Sequence, residues 1–316
     1  MAAPPPAPLH AGSSIEQGIT LFLDYLEKER NYARHTLDAY RRDLQQFARF
    51  LYPRIAQVGI PVNAVERQVV QSFVEELRTR GLRPNSVARK LSAIRSLFRH
   101  LCRQRVLADN PASLVGTERP ARQLPKFLPL SQVEEAIALP PAAEFTGARD
   151  RAIIEVFYGG GIRLSELVAL NLSALDLEEG TVRVLGKGRR ERIVPIGGPA
   201  LQTLKAYMQH RAALLMELDI TQVDAGALFL NRKGRRLHRR TVQTNVKRYL
   251  RQVSGGQTLS PHLLRHTFAT HLVEAGADLG AVKELLGHAV LSSTQVYTQV
   301  SLERLRRVYQ QAHPRA

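Results

Sequence analysis

The sequence predicts a mainly α-helical protein with a small antiparallel β-sheet, arranged as two domains. The chain has 316 residues, more than the ~100 to 200 typical of one domain. Apolar residues recur at helical spacing along most of it, whereas residues 175–196 alternate with the two-residue period of strands. Residues 110–129 contain four prolines and no helical periodicity. That segment is predicted to be an extended linker between an all-helical first domain and an α+β second domain.

These patterns set the expected boundaries. Residues 1–12 are rich in proline and alanine and are predicted to be a disordered lead, because they have neither the basic start nor the apolar core of a signal peptide. The helical domain is expected over residues 13–109 and the second domain over residues 130–316. No apolar run approaches the ~18 residues of a membrane span, so we expect a cytoplasmic protein without a membrane partner.

Four helices are predicted in the first domain. The first follows a capping box of Ser13 and Glu16, the next two cover residues 35–51 and 65–79, and Ser86 caps the fourth. In the second helix, apolar residues share one face, namely Leu37, Tyr40, Leu44, Phe47 and Leu51.

The second domain is expected to begin with a helix over residues 131–139, capped by Ser131 and Glu134, and two helices over residues 148–158 and 164–170. The strands TVRVL and ERIVPI then flank a basic turn, GKGRR. A short basic hairpin is expected within ALFLNRKGRRLH. Further helices are predicted at residues 199–218, 240–253, 262–274, 279–286, 292–298 and 302–311.

The charge balance favours a polyanionic partner. The chain has 45 basic and 28 acidic side chains, a net charge of +17, and the excess occurs in both halves. We therefore expect contact with double-stranded DNA, although basic helix faces are commonly only solvated, and a basic enzyme without nucleic acid is the alternative. The residues expected to contact DNA are Arg89, Lys90, Arg95, Arg99, Arg189, Arg190, Arg239 and Arg240.

Cysteine and histidine usage argues against a metal centre. Cys102 is the only cysteine, which excludes an intrachain disulfide and a cysteine-based zinc site. His262 and His266 are four residues apart, but His271 falls off their helix face and no nearby carboxylate completes a ligand set. We expect no metal and no cofactor.

Two arginines are candidate phosphate ligands. An enzyme that attacks a phosphodiester without metal needs fixed cations around the non-bridging oxygens. Arg163 follows three glycines, and Arg265 lies one helical turn after His262. The alternative for Arg163 is an ordinary ion pair with Glu166, three residues on.

Four further residues offer proton transfer or nucleophilic attack. Lys187 stands between two glycines at the predicted hairpin tip, where an ammonium can protonate a leaving oxygen. His262 begins a predicted helix, His288 ends another, and Tyr297 carries a phenol that needs cations and a base to become a nucleophile. Each of these positions taken singly is more often structural, and only their combination favours catalysis.

The chain resembles the tyrosine recombinases, and within them the Xer site-specific recombinases. The segments TLDAYRRDLQQFARFL and ARKLSAIRSLFRHL are similar to the family's SAM-like helical core-binding domain. The segments GGGIRLSELVALN, VLGKGRRERIVPIG, SPHLLRHTFATHL and ADLGAVKELLGHAVLSSTQVYTQV are similar to its catalytic domain. Gly160, Gly161 and Ile162 depart from the common Thr-Gly-Leu, and Gln299 stands where histidine is frequent. Whether the XerC or the XerD type is the better match stays open.

The resemblance implies a role for each candidate. Arg163 and Arg265 would bind the scissile phosphate, and His288 would hydrogen-bond it. Lys187 would protonate the leaving 5′ oxygen, and His262 would assist proton transfer from Tyr297, which attacks to form a 3′-phosphotyrosyl link.

The resemblance also implies the biological setting. Family members act as tetramers on two specific DNA sites, with the C-terminal helix docked on a neighbour, and Xer enzymes resolve chromosome dimers at cell division. A homo- or hetero-tetramer, a second Xer recombinase and a cell-division DNA translocase are the partners expected on this basis. The alternatives are an integrase of a mobile element, and a non-catalytic DNA-binding architectural protein.

Overall fold

A computed structural model describes residues 10, 12–52, 59–116, 127–186, 191–255, 259–287 and 299–316, with the backbone alone for residues 220 and 299–302. The chain divides into two compact units, Met1–Gln123 and Leu124–Ala316. The helices of the first unit are α1 (Ile15–Lys28), α2 (Arg34–Leu51), α3 (Arg67–Thr79) and α4 (Pro84–Arg103). Those of the second are α5 (Leu130–Ala138), α6 (Phe145–Gly160), α7 (Leu164–Ala169), α8 (Gly198–Met216), α9 (Arg239–Val253), α10 (Pro261–Glu274), α11 (Leu279–Leu286) and α12 (Gln299–Ala312).

The first unit is a four-helix domain around one apolar core, as the helical periodicity predicts. Leu44 and Phe47 of α2 are fully buried. The ring of Phe47 meets that of Phe73 edge to face at a centroid distance of 5.2 Å, and it meets Phe98 at 6.4 Å. These contacts join α2, α3 and α4 through the apolar stripe of each helix.

Both predicted capping boxes were wrong in detail. At the start of α1 the box is formed one residue later, where Ser14 N donates to Gln17 Oε1 at 2.9 Å and Gln17 N donates to Ser14 Oγ at 3.3 Å. Ser13 instead accepts a bond from His10 N. In α5 the cap position is taken by Pro129, which has no side-chain acceptor, so Ser131 falls within the first turn.

The predicted linker contributes residues to both units. Ala112 and Val115 are buried in the core of the first unit, and Leu128 is buried in that of the second. Residues 117–126 lie outside the described part, as do residues 1–9 of the predicted lead. The exact domain boundaries therefore stay a prediction.

The second unit is built around α6, which is buried along most of its length. A three-stranded antiparallel sheet lies in this unit, with the order β1 (Leu175–Asp176), β2 (Thr181–Leu185), β3 (Glu191–Pro195). In its register Val184 pairs with Arg192. The mainly helical fold with a small sheet is thereby confirmed, whereas the predicted helix over residues 292–298 lies outside the described residues.

The last helix belongs to the core of its own unit. Leu305 and Tyr309 of α12 are 1% and 2% exposed, and Ala312 and His313 are also buried. His313 lies in hydrogen-bond range of the carbonyl of Tyr158 in α6, at 3.3 Å. Docking of this buried face on a neighbour would therefore require the helix to leave that core, whereas its opposite face, with Glu303, Arg304 and Arg307, is exposed. Across the part of the chain that the structure describes, none of the helices is long and apolar enough to cross a membrane.

Candidate active site

Arg163 is presented by a turn that only glycine fits. Gly161 ends α6 in the left-handed region with φ of +55°, and a Cβ added there would overlap the ring of Phe268 on α10. The close approach of these two helices fixes the turn. Arg163 follows two residues later as the N-cap of α7, with 32% of its side chain exposed.

Arg163 forms an ion pair with Glu166, three residues later in the chain, as the alternative interpretation of Arg163 predicted. Arg163 Nη1 lies 2.8 Å from Glu166 Oε1, and the backbone N of Arg163 donates to Oε2 at 2.8 Å. The same carboxylate accepts two parallel bonds of 2.9 Å from Arg192 on β3. Burial alone would raise the pKa of Glu166, but the hydrogen bonds from Arg192 and Arg163 outweigh it and lower that pKa to about 2.

Arg265 lies on α10 and is buried, with 8% of the residue exposed. Its Nη1 donates to the carbonyl of Gly161, and its Nη2 donates to the carbonyl of Leu286 at 2.5 Å. Burial and the neighbouring charge of Arg163 lower the pKa of Arg265 to about 10, so the guanidinium remains charged at neutral pH. The buried guanidinium of Arg265 thus links the turn before Arg163 to the end of α11.

Three arginines converge on the C-terminal end of α11. Arg192 Nε donates to the carbonyl of Leu285 at 3.2 Å, Arg265 binds that of Leu286, and Arg163 Nη2 donates to that of Gly287 at 3.1 Å. Carbonyls at a helix C-terminus carry partial negative charge and lack partners within the helix, so cations are favoured there.

The cluster is positively charged even after internal pairing. The three guanidinium groups of Arg163, Arg192 and Arg265 are opposed by the single carboxylate of Glu166, which leaves two positive charges. Arg163 is the partly exposed member, whereas Arg192 and Arg265 are buried. Such a preorganised cationic site suits a phosphate oxyanion.

His262 lies beside this cluster in the first turn of α10. Partial burial and the nearby cations of Arg265, Arg239 and Arg163 lower its pKa below 6.5. The imidazole is therefore neutral at pH 7 and able to accept a proton. Arg239, at the start of α9, is exposed and close enough for its charge to act on His262.

Three of the six predicted catalytic residues lie outside the described residues. Lys187 falls in sequence between the end of β2 and the start of β3, and His288 follows Gly287 directly. Tyr297 precedes α12 by two positions. The roles of all six residues remain predictions. Among the described ones, Arg163 and Arg265 meet at the end of α11, and His262 lies close enough to both for their charges to act on it.

The residues predicted to contact DNA divide into two groups. Lys90 is buried and donates to Asp43 at 2.9 Å and to Gln46 at 2.6 Å. Arg95 bonds the carbonyls of Ala112 and Val115. These two side chains therefore have partners within the first unit.

The other predicted contacts are better exposed. Arg89 pairs with Asp43 but keeps 52% of its side chain exposed, and Arg99 is exposed on the same helix. Arg239 and Arg240 are exposed at the start of α9 in the second unit. Arg189 and Arg190 lie outside the described residues.

Sequence reasoning missed Arg192 altogether and saw Glu166 only as an ion-pair partner. A signal for Arg192 was present, because in ERIVP it occupies an inward position of an alternating strand, where a charged side chain requires a buried partner. The backbone carbonyls of α11 carried no sequence signal. Within the described ranges, no cluster of histidine, cysteine and carboxylate side chains could hold a metal ion.

Each of the two units contains a segment that matches a known protein family. The profile of the phage integrase family matches residues 126–304, and that of the phage integrase N-terminal SAM-like domain matches residues 19–105. The chain is 43% identical over 304 residues to the tyrosine recombinase XerC of Pelobacter propionicus, which covers 96% of this chain and 97% of the relative. It is 41% identical over 296 residues to the tyrosine recombinase XerC of Thermodesulfovibrio yellowstonii. That alignment covers 94% of this chain and 96% of the relative.

A solved structure shares the fold. The XerH site-specific recombinase bound to palindromic difH substrate, in its post-cleavage complex, aligns with a TM-score of 0.66 at 23% identity, over 92% of this chain and 83% of that chain. The expected SAM-like and catalytic domains are thereby confirmed.

Proposed function

Because this chain belongs to the phage integrase family, whose members cut and rejoin DNA, we propose that it is a site-specific tyrosine recombinase acting through a 3′-phosphotyrosyl intermediate. The observation that supports this proposal most directly is the cationic cluster, in which Arg163 and Arg265 are fixed on the same helix end. That arrangement provides charge for the non-bridging oxygens of a phosphodiester before the substrate arrives.

In the proposed step the phenolic oxygen of Tyr297 forms a bond to phosphorus, and the bond from phosphorus to the 5′ oxygen breaks. Neutral His262 accepts the phenol proton, and Lys187 gives a proton to the leaving 5′ oxygen. His288 donates to the phosphate alongside Arg163 and Arg265. A 5′ hydroxyl from another strand reverses the step, so the energy of the phosphodiester is conserved.

The proposed biological role is supported by the relatives rather than by the site. The relatives at about 40% identity are named XerC, which favours action at a specific recombination site and the resolution of chromosome dimers. We propose a homo- or hetero-tetramer on two DNA sites, with a second Xer recombinase and a cell-division translocase as candidate partners. We propose that it acts in the cytoplasm, where a bacterial chromosome is located.

Covalent capture tests the chemistry and recovers the target sequence in one experiment. The protein is incubated with fragmented genomic DNA of its own host, protein-linked fragments are recovered under denaturing conditions, and the attached DNA is sequenced. One shared sequence motif in the wild-type fragments and no adduct with Tyr297→Phe are expected. Adducts that persist in Tyr297→Phe would refute Tyr297 as the nucleophile.

Strand exchange then separates this role from that of a mobile-element integrase. Two duplexes that both carry the recovered motif are mixed with the protein, and recombinant products are resolved by electrophoresis. Exchange between the identical sites supports dimer resolution. Products only when the second duplex has a different site would identify an integrase, and binding without any covalent adduct would identify an architectural protein.

A further inference from the structure

Arg192 is a buried cation for which the proposed chemistry has no direct use. It is 5% exposed and lies on β3, whereas Arg163 precedes α7 as its N-cap and Arg265 lies on α10. Both of its terminal nitrogens bond Glu166, and its Nε bonds the carbonyl of Leu285. Its donors are therefore directed at the parts of the unit that surround Arg163.

The shared carboxylate links Arg192 to Arg163. Oε1 of Glu166 accepts from Arg163 Nη1 at 2.8 Å and from Arg192 Nη1 at 2.9 Å. A carboxylate bound in two parallel bonds by a planar guanidinium has a fixed plane as well as a fixed position. The direction in which Arg163 extends from Glu166 is therefore set by Arg192.

Arg192 also supports the second anchor of Arg163. Arg163 Nη2 donates to the carbonyl of Gly287, a residue in the left-handed conformation with φ of +64°. A Cβ added at Gly287 would lie 3.0 Å from the guanidinium of Arg192, so the Arg192 side chain packs directly on this turn. Together with the bond to Leu285, this contact holds the end of α11 that receives Arg163.

We infer that Arg192 is a positioning residue for DNA cleavage, which orients Arg163 toward the scissile phosphate through Glu166 and the end of α11. The inference rests on the proposed function, because it presumes that Arg163 binds the phosphate. It assigns a role to a strand residue that need not contact DNA at all.

The principal test is Arg192→Lys, which keeps the charge but cannot form the two parallel bonds. Single-turnover cleavage is measured on a nicked synthetic duplex that carries the motif recovered from covalent complexes. Since a misplacement of ~1 Å can cost about a hundredfold in rate, we expect a fall of about ten- to a hundredfold. DNA binding by the same variant should stay near that of the wild type.

A second substrate separates positioning from loss of folded protein. The scissile phosphate is replaced by a methylphosphonate, which lacks one charged non-bridging oxygen and so needs less neutralisation by Arg163. If Arg192 acts by orienting Arg163, the loss in Arg192→Lys should be several-fold smaller on the methylphosphonate than on the phosphate. Equal losses on the two substrates, or no loss on the phosphate, would overturn the inference.

Arg211→Lys is the matched control. Arg211 is also buried in the second unit, but it donates to the carbonyls of Ala225 and Ala227, away from Glu166. We expect it to lower the melting temperature without changing the ratio of rates on the two substrates. A change in that ratio as large as that of Arg192→Lys would show that the ratio reports stability alone.

A double variant keeps the test open if Arg192→Lys does not fold. Arg192→Gln combined with Glu166→Gln removes one charge of each sign, so the net charge of the cluster is unchanged. Arg192→Gln should then cost less activity in the Glu166→Gln background than in the wild type, because its effect passes largely through the carboxylate. Fully additive losses would contradict the inference. A wild-type protein that forms no adduct would instead refute the proposed function.

Discussion

Arg163 and Glu166 form a fixed pair, with the guanidinium Nη1 2.8 Å from one carboxylate oxygen and the backbone N of Arg163 2.8 Å from the other. The pair is not a surface ion pair of the usual weak kind, because Glu166 is 4% exposed and also holds Arg192. An arginine that would otherwise sample many rotamers is thereby preorganised, and part of it stays open to a ligand.

The acid dependence of stability should reveal this pair. The pKa of Glu166 is lowered to about 2, so its charged form stabilises the folded state above the unfolded pKa of about 4.5. That contribution, about 3 kcal/mol at pH 7, should be lost progressively as the pH falls from about 4.5 toward 2. Urea unfolding should be measured for the wild type and Glu166→Gln from pH 7 to 3. The difference between their free energies of unfolding should decrease as the pH falls. The exposed Glu178→Gln serves as control, and a difference independent of pH would count against the prediction.

The protonation of His262 should respond to one neighbouring arginine. Partial burial and the charges of Arg265, Arg239 and Arg163 lower the pKa of His262, so in the DNA-free protein its NMR titration midpoint should lie below 6.5. Removing one positive charge in Arg239→Gln should move that midpoint upward. Arg240→Gln, at the next position of α9, is the control and should leave it in place. An unchanged midpoint in Arg239→Gln would show that its charge does not reach His262.

The salt dependence of DNA binding should distinguish exposed from buried cations. The logarithm of the affinity should fall by about 0.9 per phosphate contact for each tenfold rise in salt. Loss of Arg239 and Arg240 together should reduce that slope by about one to two, whereas Lys90→Gln should not change it, because Lys90 is buried against Asp43. Fluorescence anisotropy with a short labelled duplex measures both. A reduced slope in Lys90→Gln would show that Lys90 contacts DNA despite its pairing with Asp43.

The C-terminal helix should contribute to the stability of its own unit. Leu305 is 1% exposed in the core of the second unit, so Leu305→Ala should cost about 2 to 5 kcal/mol of unfolding free energy. Leu279→Ala, at a position 56% exposed, should cost less than about 0.5 kcal/mol. Urea unfolding compares the two. Equal small effects would indicate that α12 does not pack on its own unit in solution.

The secondary structure was largely predictable because it follows from local periodicity. The apolar stripe of α2 and the alternation in β2 and β3 were read correctly from the sequence. The residues that cap α1 and α5 were predicted wrongly. Ser13 and Ser14 are equivalent candidates until the chain geometry selects Ser14, and α5 begins after Pro129 rather than at Ser131. Helix ends depend on which backbone groups lack partners, and several nearby residues can supply one.

For the candidate site, the sequence by itself determined which chemical groups are available and in what order. It predicted six candidate residues in segments that resemble one family, namely Arg163, Lys187, His262, Arg265, His288 and Tyr297. Only the tertiary structure decided that Arg163, Arg192 and Arg265 meet on the carbonyls at the end of α11, with Glu166 between two of them. Backbone carbonyls are the same at every position of a sequence, and long-range charge pairing depends on which helices pack together. The predicted membership of the site therefore follows from local sequence, whereas the preorganisation of its arginines arises from the fold.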